Sequence, residues 1–138
     1  MISSRSIDDL HPKVKDLAEK FIANCKSHGW DILIYSTYRD AEAQNAIYAQ
    51  GRTTPGHIVT NAKGGESFHQ YRVAFDWVPV VGGKPLWNDA ATYLKCAEIG
   101  EALGLEWAGR WKTFKETAHL QYSGGLRLAD FQAGKTIK

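Results

Sequence analysis

The feature that most constrains the fold is an apolar run from Val73 to Val81, "VAFDWVPVV", which contains one charged residue, Asp76. The run is rich in β-branched and aromatic residues and is followed by the turn signal "GGKP", so it predicts a strand. His69 lies seven residues before Asp76. Two interpretations are open here: the two are ordinary polar residues beside a buried strand, or they are two parts of one site.

The remaining segments predict helices that alternate with strands. Apolar residues at i, i+3, i+4 and i+7 predict a helix over 12–28, and Asp40 suits the N-cap of a second helix over 41–50. The other predicted elements are strands over 31–39 and 118–122, a loop over 52–66, a third helix over 89–103 and a short final helix over 126–134. This order predicts an α+β fold, in which helices pack on one side of a small, mainly antiparallel sheet.

Length and composition predict one domain over residues 1–138. The net charge is +2 and the basic residues form no cluster, which argues against a nucleic-acid partner. The N-terminal residues lack the apolar region of a signal peptide, and no apolar run approaches the ~20 residues of a membrane span. We therefore expect a chain made in the cytoplasm that does not insert into a membrane. Cys25 and Cys96 are expected as buried free thiols, with a disulfide between them left open.

A second acidic residue and histidine stand close together in "ETAH", which contains Glu116 and His119. A catalytic zinc ion needs three protein ligands and one open position. His69, Asp76 and His119 supply two nitrogens and one oxygen, while Glu116 stays free to accept a proton from the bound water. The spacing alone does not decide the matter, because five histidines and 15 acidic residues produce such sets by chance. The alternative is that each histidine is a hydrogen-bonded, half-buried imidazole.

Several motifs in order resemble the LAS group of zinc peptidases, which includes D-alanyl-D-alanine carboxypeptidases and phage L-alanyl-D-glutamate endolysins. "SFHQYRVAFD" is similar to the first zinc signature of that group, and "ETAHLQY" is similar to the second. "TYRDAEAQNAIYAQG" and "GLEWAGRW" resemble two further segments of its members. The resemblance extends from about residue 8 to residue 123. Arg72 and Arg110 depart from it, since many relatives carry a glycine and an acidic residue there.

The resemblance implies a role for each candidate residue. His69, Asp76 and His119 would hold one zinc ion per chain, and Glu116 would act as the general base and later protonate the leaving amine. Arg39 would bind substrate and stabilise the oxyanion, its alternative being a surface ion pair with Asp40 or Glu42. Ser67 and Gln44 are weaker candidates for substrate binding or for support of the site. Four tryptophans are expected in the core: Trp77, Trp87, Trp107 and Trp111. Of these, Trp107 and Trp111 are also candidates for the cleft wall.

The resemblance also implies a substrate, the peptidoglycan stem peptide. We expect a monomeric, single-domain endolysin with no separate cell-wall-binding domain, which cleaves the L-alanyl-D-glutamate bond in the periplasm after holin-type release. A D-alanyl-D-alanine carboxypeptidase on the same scaffold is the first alternative. A zinc-containing module that binds cell wall without catalysis is the second, and the presence of Glu116 argues against it.

Overall fold

The computed structural model describes residues 1–138. Helices and strands alternate as far as β2, and shorter elements follow. The helices are α1 (Pro12–Ser27), α2 (Ala41–Ala49), α3 (Ala90–Ala102) and α4 (Leu128–Gln132). The strands are β1 (Asp31–Ser36), β2 (Ala74–Val81), β3 (Lys84–Pro85), β4 (Glu106–Trp107) and β5 (His119–Gln121). Short 3-10 turns span Ile7–Asp9, Phe68–Tyr71 and Ala108–Arg110.

The strands form one antiparallel sheet in the order β1-β2-β5-β4, with β3 paired to β2. The apolar run around Asp76 is therefore the central strand, and the predicted α+β class is confirmed. The strand predicted over 31–39 ends earlier, at Ser36. Beyond that point the N-terminal segment supplies the backbone partners, because Thr37 donates to the carbonyl of Ser4 and Ser4 donates to that of Tyr38.

Side chains of β2 point alternately to the core and to the opposite face of the sheet, where the site lies. Phe75 and Trp77 both pack against Phe21 of α1, with ring centroids 6.0 and 5.1 Å away, and Trp77 also packs against Tyr93 of α3. Successive residues of a strand point to opposite faces, so Asp76 lies on the face away from these two helices. The helical layer therefore fixes the strand, and the other face is left for chemistry.

Cys25 and Cys96 are buried free thiols that contact each other between α1 and α3. The hydrogen bond with Cys96, together with burial, raises the pKa of the Cys25 thiol. Elsewhere in the fold, no helix combines the length and the apolar character that crossing a membrane requires.

Arg72 ends the 3-10 turn in a left-handed conformation, with φ of 64°. The family resemblance predicts glycine at this position, because a non-glycine residue in this conformation costs about 1 kcal/mol. The guanidinium lies 3.8 Å from the ring centroid of Tyr38 and donates to the carbonyl of Asp9 at 2.8 Å. The cation–π contact and the hydrogen bond offset the backbone cost, which explains how arginine is accommodated.

Arg110 is accommodated by an exposed ion pair. Its Nη2 and Nε donate to the two carboxylate oxygens of Glu101 at 2.9 and 3.1 Å. The guanidinium also lies 5.1 Å from the ring centroid of Trp107. The ion pair therefore directs Arg110 to α3 and not to the site.

Candidate active site

Three potential metal ligands converge where β2, β5 and the Phe68–Tyr71 turn meet. Asp76 and His119 are direct partners across the β2–β5 ladder, so their side chains share a face. Oδ1 of Asp76 lies 3.2 Å from Nε2 of His69 and 3.2 Å from Nδ1 of His119. The ligand atoms of these three residues all lie within 4.8 Å of one another. The predicted triple is therefore one cluster in space, although 50 residues separate its ends.

Each histidine uses its outer ring nitrogen to hold its orientation. Nδ1 of His69 lies 2.6 Å from the carbonyl oxygen of Thr37, and Nε2 of His119 lies 2.8 Å from Oε1 of Gln121. Both partners are oxygen acceptors, so these nitrogens carry the hydrogens. Nε2 of His69 and Nδ1 of His119 are then the lone-pair nitrogens that face Asp76. Outer hydrogen bonds of this kind are the usual support of metal-binding histidines.

The protonation states follow from burial and from the shared carboxylate. Burial lowers the pKa of His69 despite the opposing charge of Asp76. Burial acts to raise the pKa of Asp76, but the charges and hydrogen bonds of His69 and His119 outweigh it and hold the pKa well below the usual range. Burial acts to lower the pKa of His119, but the hydrogen bond and charge of Asp76 outweigh it and raise the pKa. Asp76 is therefore ionised, which is the form in which a carboxylate binds a metal ion.

The support of His119 continues through two more side chains. Gln121, on β5, uses Oε1 for His119 and donates through Nε2 to Oε1 of Glu106 on β4 at 3.1 Å. Oγ of Ser123 donates to the other oxygen of Glu106 at 2.7 Å. Glu106 thus fixes the amide orientation of Gln121, and the amide fixes the tautomer of His119. Sequence inspection missed this support, because the two-residue strand β4 has no detectable periodicity.

We expect Gln121→Leu to lower zinc affinity by roughly 10- to 100-fold, the usual effect of removing an outer partner of a metal ligand. Leucine fills similar space but accepts no hydrogen bond, so His119 loses its fixed tautomer. Competition with a chromophoric chelator measures the affinity. Gln132→Leu is the matched control, because that amide bonds only the backbone carbonyl of Gly65. Equal affinity for wild type and Gln121→Leu would show that the amide does not orient His119.

Glu116 lies beside the cluster in the loop before β5. Its Oε2 is 3.3 Å from Nδ1 of His119, and its side chain is 31% exposed, so it borders both the cluster and solvent. Burial raises its pKa, with Asp76 acting in the same direction and His119 and Arg39 against it. The loop is held by the indole of Trp107, which donates to the carbonyl of Thr117 at 2.8 Å. Glu116 is placed to exchange protons with a molecule held by the cluster.

Arg39 lies on the other side of the carboxylate. Its Nη1 is 3.5 Å from Oδ2 of Asp76 and donates to Oγ of Ser36 at 3.1 Å. Arg39 does not form the alternative surface ion pair with Asp40 or Glu42. Asp40 and Glu42 instead approach the amino group of Met1, at 3.9 and 3.2 Å. The guanidinium is thus directed into the cleft.

Gln44 and Ser67 hold neighbouring parts of the site. Gln44 is fully buried on α2, accepts from Nε of Arg39 at 3.1 Å and donates to the carbonyl of Ala62 at 2.8 Å. Ser67 caps the 3-10 turn by accepting from the backbone N–H of His69 at 3.3 Å. Gln70 completes this capping box and also bonds Gln44 at 3.2 Å. The two weaker candidates therefore position Arg39 and His69, and Ser67 also lines the cleft.

The cluster opens into a cleft with two arms. The polar arm is lined by Asn61, Glu66, Ser67, Phe68 and Trp111. The aromatic arm, of about 650 Å³, is lined by Tyr35, Val59, Trp87, Phe114 and Lys115, among others. Arg39, Glu116 and His119 border both arms. Phe114, at the junction, is 42% exposed and has a φ of 47°, an uncommon conformation that recurs at functional sites.

The four tryptophans divide between core and cleft. Trp77 and Trp107 are buried, as expected. Trp111 lines the polar arm, and Trp87 lines the aromatic arm with 51% of its surface exposed. The expectation that Trp87 belongs to the core is wrong, because it follows β3 at the sheet margin, where no helix covers it.

Comparisons with known proteins find relatives among the peptidases. Residues 60–122 match the family described as D-alanyl-D-alanine carboxypeptidase. The peptidoglycan L-alanyl-D-glutamate endopeptidase CwlK of Bacillus subtilis (strain 168) is 39% identical over 122 residues, covering 82% of this chain and 73% of the relative. The L-alanyl-D-glutamate peptidase of Listeria phage A118 is 28% identical over 123 residues, covering 88% of this chain and 41% of the relative.

Solved structures share the fold. The L-Ala D-Glu endopeptidase ChiX of Serratia marcescens superimposes with a TM-score of 0.65 at 19% identity, covering 95% of this chain and 92% of that one. The vancomycin-resistance D,D-pentapeptidase VanY, solved with Zn(II), superimposes with a TM-score of 0.65 at 17% identity, covering 90% and 78%. These structures show the shared fold, and the 39% identity to CwlK shows that the chain belongs to the LAS peptidases, in the D-alanyl-D-alanine carboxypeptidase family.

Proposed function

We propose that this chain is a zinc-dependent peptidoglycan endopeptidase that cleaves the bond between L-Ala and D-Glu of the stem peptide. One observation carries the proposal: the Glu116 carboxylate lies 3.3 Å from a ligand nitrogen of the three-donor cluster, within an open cleft. The choice of bond is supported by the 39% identity to an L-alanyl-D-glutamate endopeptidase.

The donor set fits one zinc ion per chain. His69, Asp76 and His119 would hold it through two imidazole nitrogens and one carboxylate oxygen, which leaves a position open as catalytic zinc sites require. When bound, zinc polarises the scissile carbonyl and lowers the pKa of water to about 7. The hydrogen bonds that the outer nitrogens donate to Thr37 and Gln121 support this assignment, because in a neutral imidazole they leave the inner nitrogen unprotonated.

The remaining steps belong to two side chains of the cleft. Glu116 takes the proton of the attacking water and delivers it to the leaving amine of D-Glu. Arg39 is held by Ser36 and Gln44, so its guanidinium is fixed before substrate arrives. A fixed cation near the scissile carbonyl stabilises the negative charge that develops on its oxygen.

The two-armed cleft supports an endopeptidase over a carboxypeptidase. An endopeptidase needs room for substrate on both sides of the scissile bond, and both arms are open from the cluster. A carboxypeptidase needs a closed end with a cation for the terminal carboxylate. Arg39 sits at the junction of the arms and not at the end of either one, so it is better placed for the scissile carbonyl.

The proposal extends to where the enzyme acts. Its partner is the stem peptide of the cell wall, reached by a monomer whose catalytic domain spans residues 1–138. A role in phage-type host lysis, with holin-type passage from the cytoplasm to the periplasm, is supported by the similarity to the Listeria phage peptidase. The chain spans 41% of that phage protein, so the comparison bears on the peptidase region.

Digestion of purified sacculi, followed by mass spectrometry of the released peptides, tests the proposal. We expect new peptides that begin with D-Glu and sugar-linked L-Ala that has lost the rest of the stem. Released D-Ala with an intact L-Ala–D-Glu bond would instead establish the D,D-carboxypeptidase. Binding to sacculi without any cleavage in the presence of zinc would establish the non-catalytic module.

A further inference from the structure

Trp87 forms an exposed aromatic surface on the wall of the active-site cleft. It lies between β3 and α3, with 51% of its surface exposed. It lines the same arm as Asp76, Glu116 and His119. A large aromatic side chain that is open to solvent in this cleft offers a flat apolar surface to a ligand bound there. The general base, the metal ligands and an aromatic platform thus share one cavity.

Tyr35 holds this platform from behind. The rings of Tyr35 and Trp87 meet edge to face, with centroids 5.3 Å apart and an interplanar angle of 68°. The register of β1 on β2 shifts between Ile34 and Ser36, so Tyr35 occupies a β-bulge. Bulges next to active sites redirect side chains, and this one places Tyr35 on the aromatic arm. The platform is therefore built into the sheet and also brings an indole N–H and a phenol to the wall.

The chemistry of the proposed substrate predicts what such a platform would contact. In peptidoglycan, L-Ala is joined through a lactyl group to an N-acetylated amino sugar. L-Ala and the lactyl group together span about two residue lengths, or roughly 7 Å, so a sugar ring must lie close to the scissile bond. Sugar rings present an apolar face of C–H groups that packs on an aromatic ring, while their hydroxyl and amide groups need hydrogen-bond partners.

The two arms differ in a way that assigns the sugar to one of them. The polar arm carries Glu66, which has no cation within ion-pair distance, together with Asn61 and Ser67. Beyond D-Glu the stem continues with a diamino acid, whose amino group suits the Glu66 carboxylate. The aromatic arm offers Trp87, Tyr35 and Val59 for the apolar face of a sugar ring, and Lys115 as a donor to its hydroxyl and amide oxygens. This contrast favours the aromatic arm for the sugar end of the substrate.

We propose that Trp87, backed by Tyr35, binds the N-acetylated amino sugar that carries the stem peptide. The inference rests on the proposed L-Ala–D-Glu specificity, because only cleavage there brings the sugar this close to the cluster. The enzyme would then recognise the sugar of the glycan strand as well as the peptide. It would prefer a stem that is still attached to its sugar over a free peptide of the same sequence.

The test compares two substrates, the free stem peptide and the same peptide attached through its lactyl group to the amino sugar. We expect wild type to prefer the sugar-linked peptide, and Trp87→Ala to reduce the ratio of the two kcat/KM values by roughly three- to tenfold, as loss of one stacking contact implies. Trp87→Phe should keep most of the preference. Trp30→Ala is the control for general destabilisation, since Trp30 stacks near His28 and lines neither arm.

A ratio that is the same in wild type and Trp87→Ala would overturn the proposal, and so would an absence of preference in wild type. A failure of the proposed bond specificity looks different, because the products would then show cleavage elsewhere in the stem. In that case, binding of the sugar–lactyl–L-Ala fragment to zinc-loaded Glu116→Gln still decides the question. Calorimetry should show binding that Trp87→Ala weakens, and equal or absent binding in both would refute the sugar site.

Discussion

Glu116→Gln should lower kcat/KM on peptidoglycan by about 10²- to 10⁴-fold, the range that general acid–base catalysis contributes. Glutamine has nearly the same shape but cannot accept the proton of the attacking water. The side chain is not one of the three clustered ligands, so zinc content should stay at the wild-type level. Release of soluble peptides from sacculi measures the rate, and elemental analysis of the same samples measures the metal.

The matched control is Glu98→Gln, because Glu98 is an exposed glutamate of α3, on the layer that covers the opposite face of the sheet. It should cleave sacculi at the wild-type rate. Full activity of Glu116→Gln with normal zinc content would remove Glu116 from the mechanism. Loss of both activity and zinc would assign the carboxylate to metal binding and not to proton transfer.

The fold and the clustering of His69, Asp76 and His119 could be predicted from sequence, the fold from local patterns and the cluster from the order of the motifs. An apolar run of nine residues around Asp76 has few alternatives to a buried strand, and the motif order identifies His69 and His119 with it. Helix boundaries followed from caps, such as Asp40, whose carboxylate accepts from the N–H of Ala43 at 2.8 Å. For the central strand and the helix caps, the residues that decide the structure lie within a few positions of one another.

The supporting contacts could not be predicted, because they depend on where distant segments meet. The oxygen that orients His69 is the backbone carbonyl of Thr37, 32 residues away, and a carbonyl carries no sequence signature. Gln121 and Glu106 meet only because β4 pairs with β5. Trp87 is exposed because of its place at the sheet margin, whereas tryptophan as a residue type favours the interior.

Asp76 is where these local and distant contacts converge. Its carboxylate approaches both histidines through Oδ1 and Arg39 through Oδ2, while its side chain is 16% exposed. A buried carboxylate between two imidazoles and a guanidinium is favourable only while it is ionised, which agrees with its lowered pKa. The strand that buries Asp76 therefore prepares a site of fixed charge before any metal arrives.

Asp76→Asn should abolish the stabilisation of the protein by zinc. For wild type, zinc at about 100 times its dissociation constant should add about 2.7 kcal/mol to the free energy of unfolding. In a chain of this size that raises Tm by roughly 10 °C. Asparagine keeps the shape of Asp76 but removes the charged ligand oxygen, so affinity should fall by at least about 100-fold and the shift in Tm should disappear. Differential scanning calorimetry measures the shift in Tm for wild type and for Asp76→Asn, each prepared free of metal and then scanned with and without added zinc.

Asp31→Asn separates loss of the ligand from loss of a charge, because Asp31 is an exposed residue at the far end of β1. It should keep the full zinc-dependent shift. If Asp76→Asn bound zinc as wild type does and showed the same shift, the carboxylate would not be a ligand and the metal would need another donor. Glu116 would then be the candidate, since its Oε2 is also within 3.3 Å of Nδ1 of His119. The double variant would distinguish these cases, because removing both carboxylates leaves two imidazoles, one donor short of a catalytic zinc site.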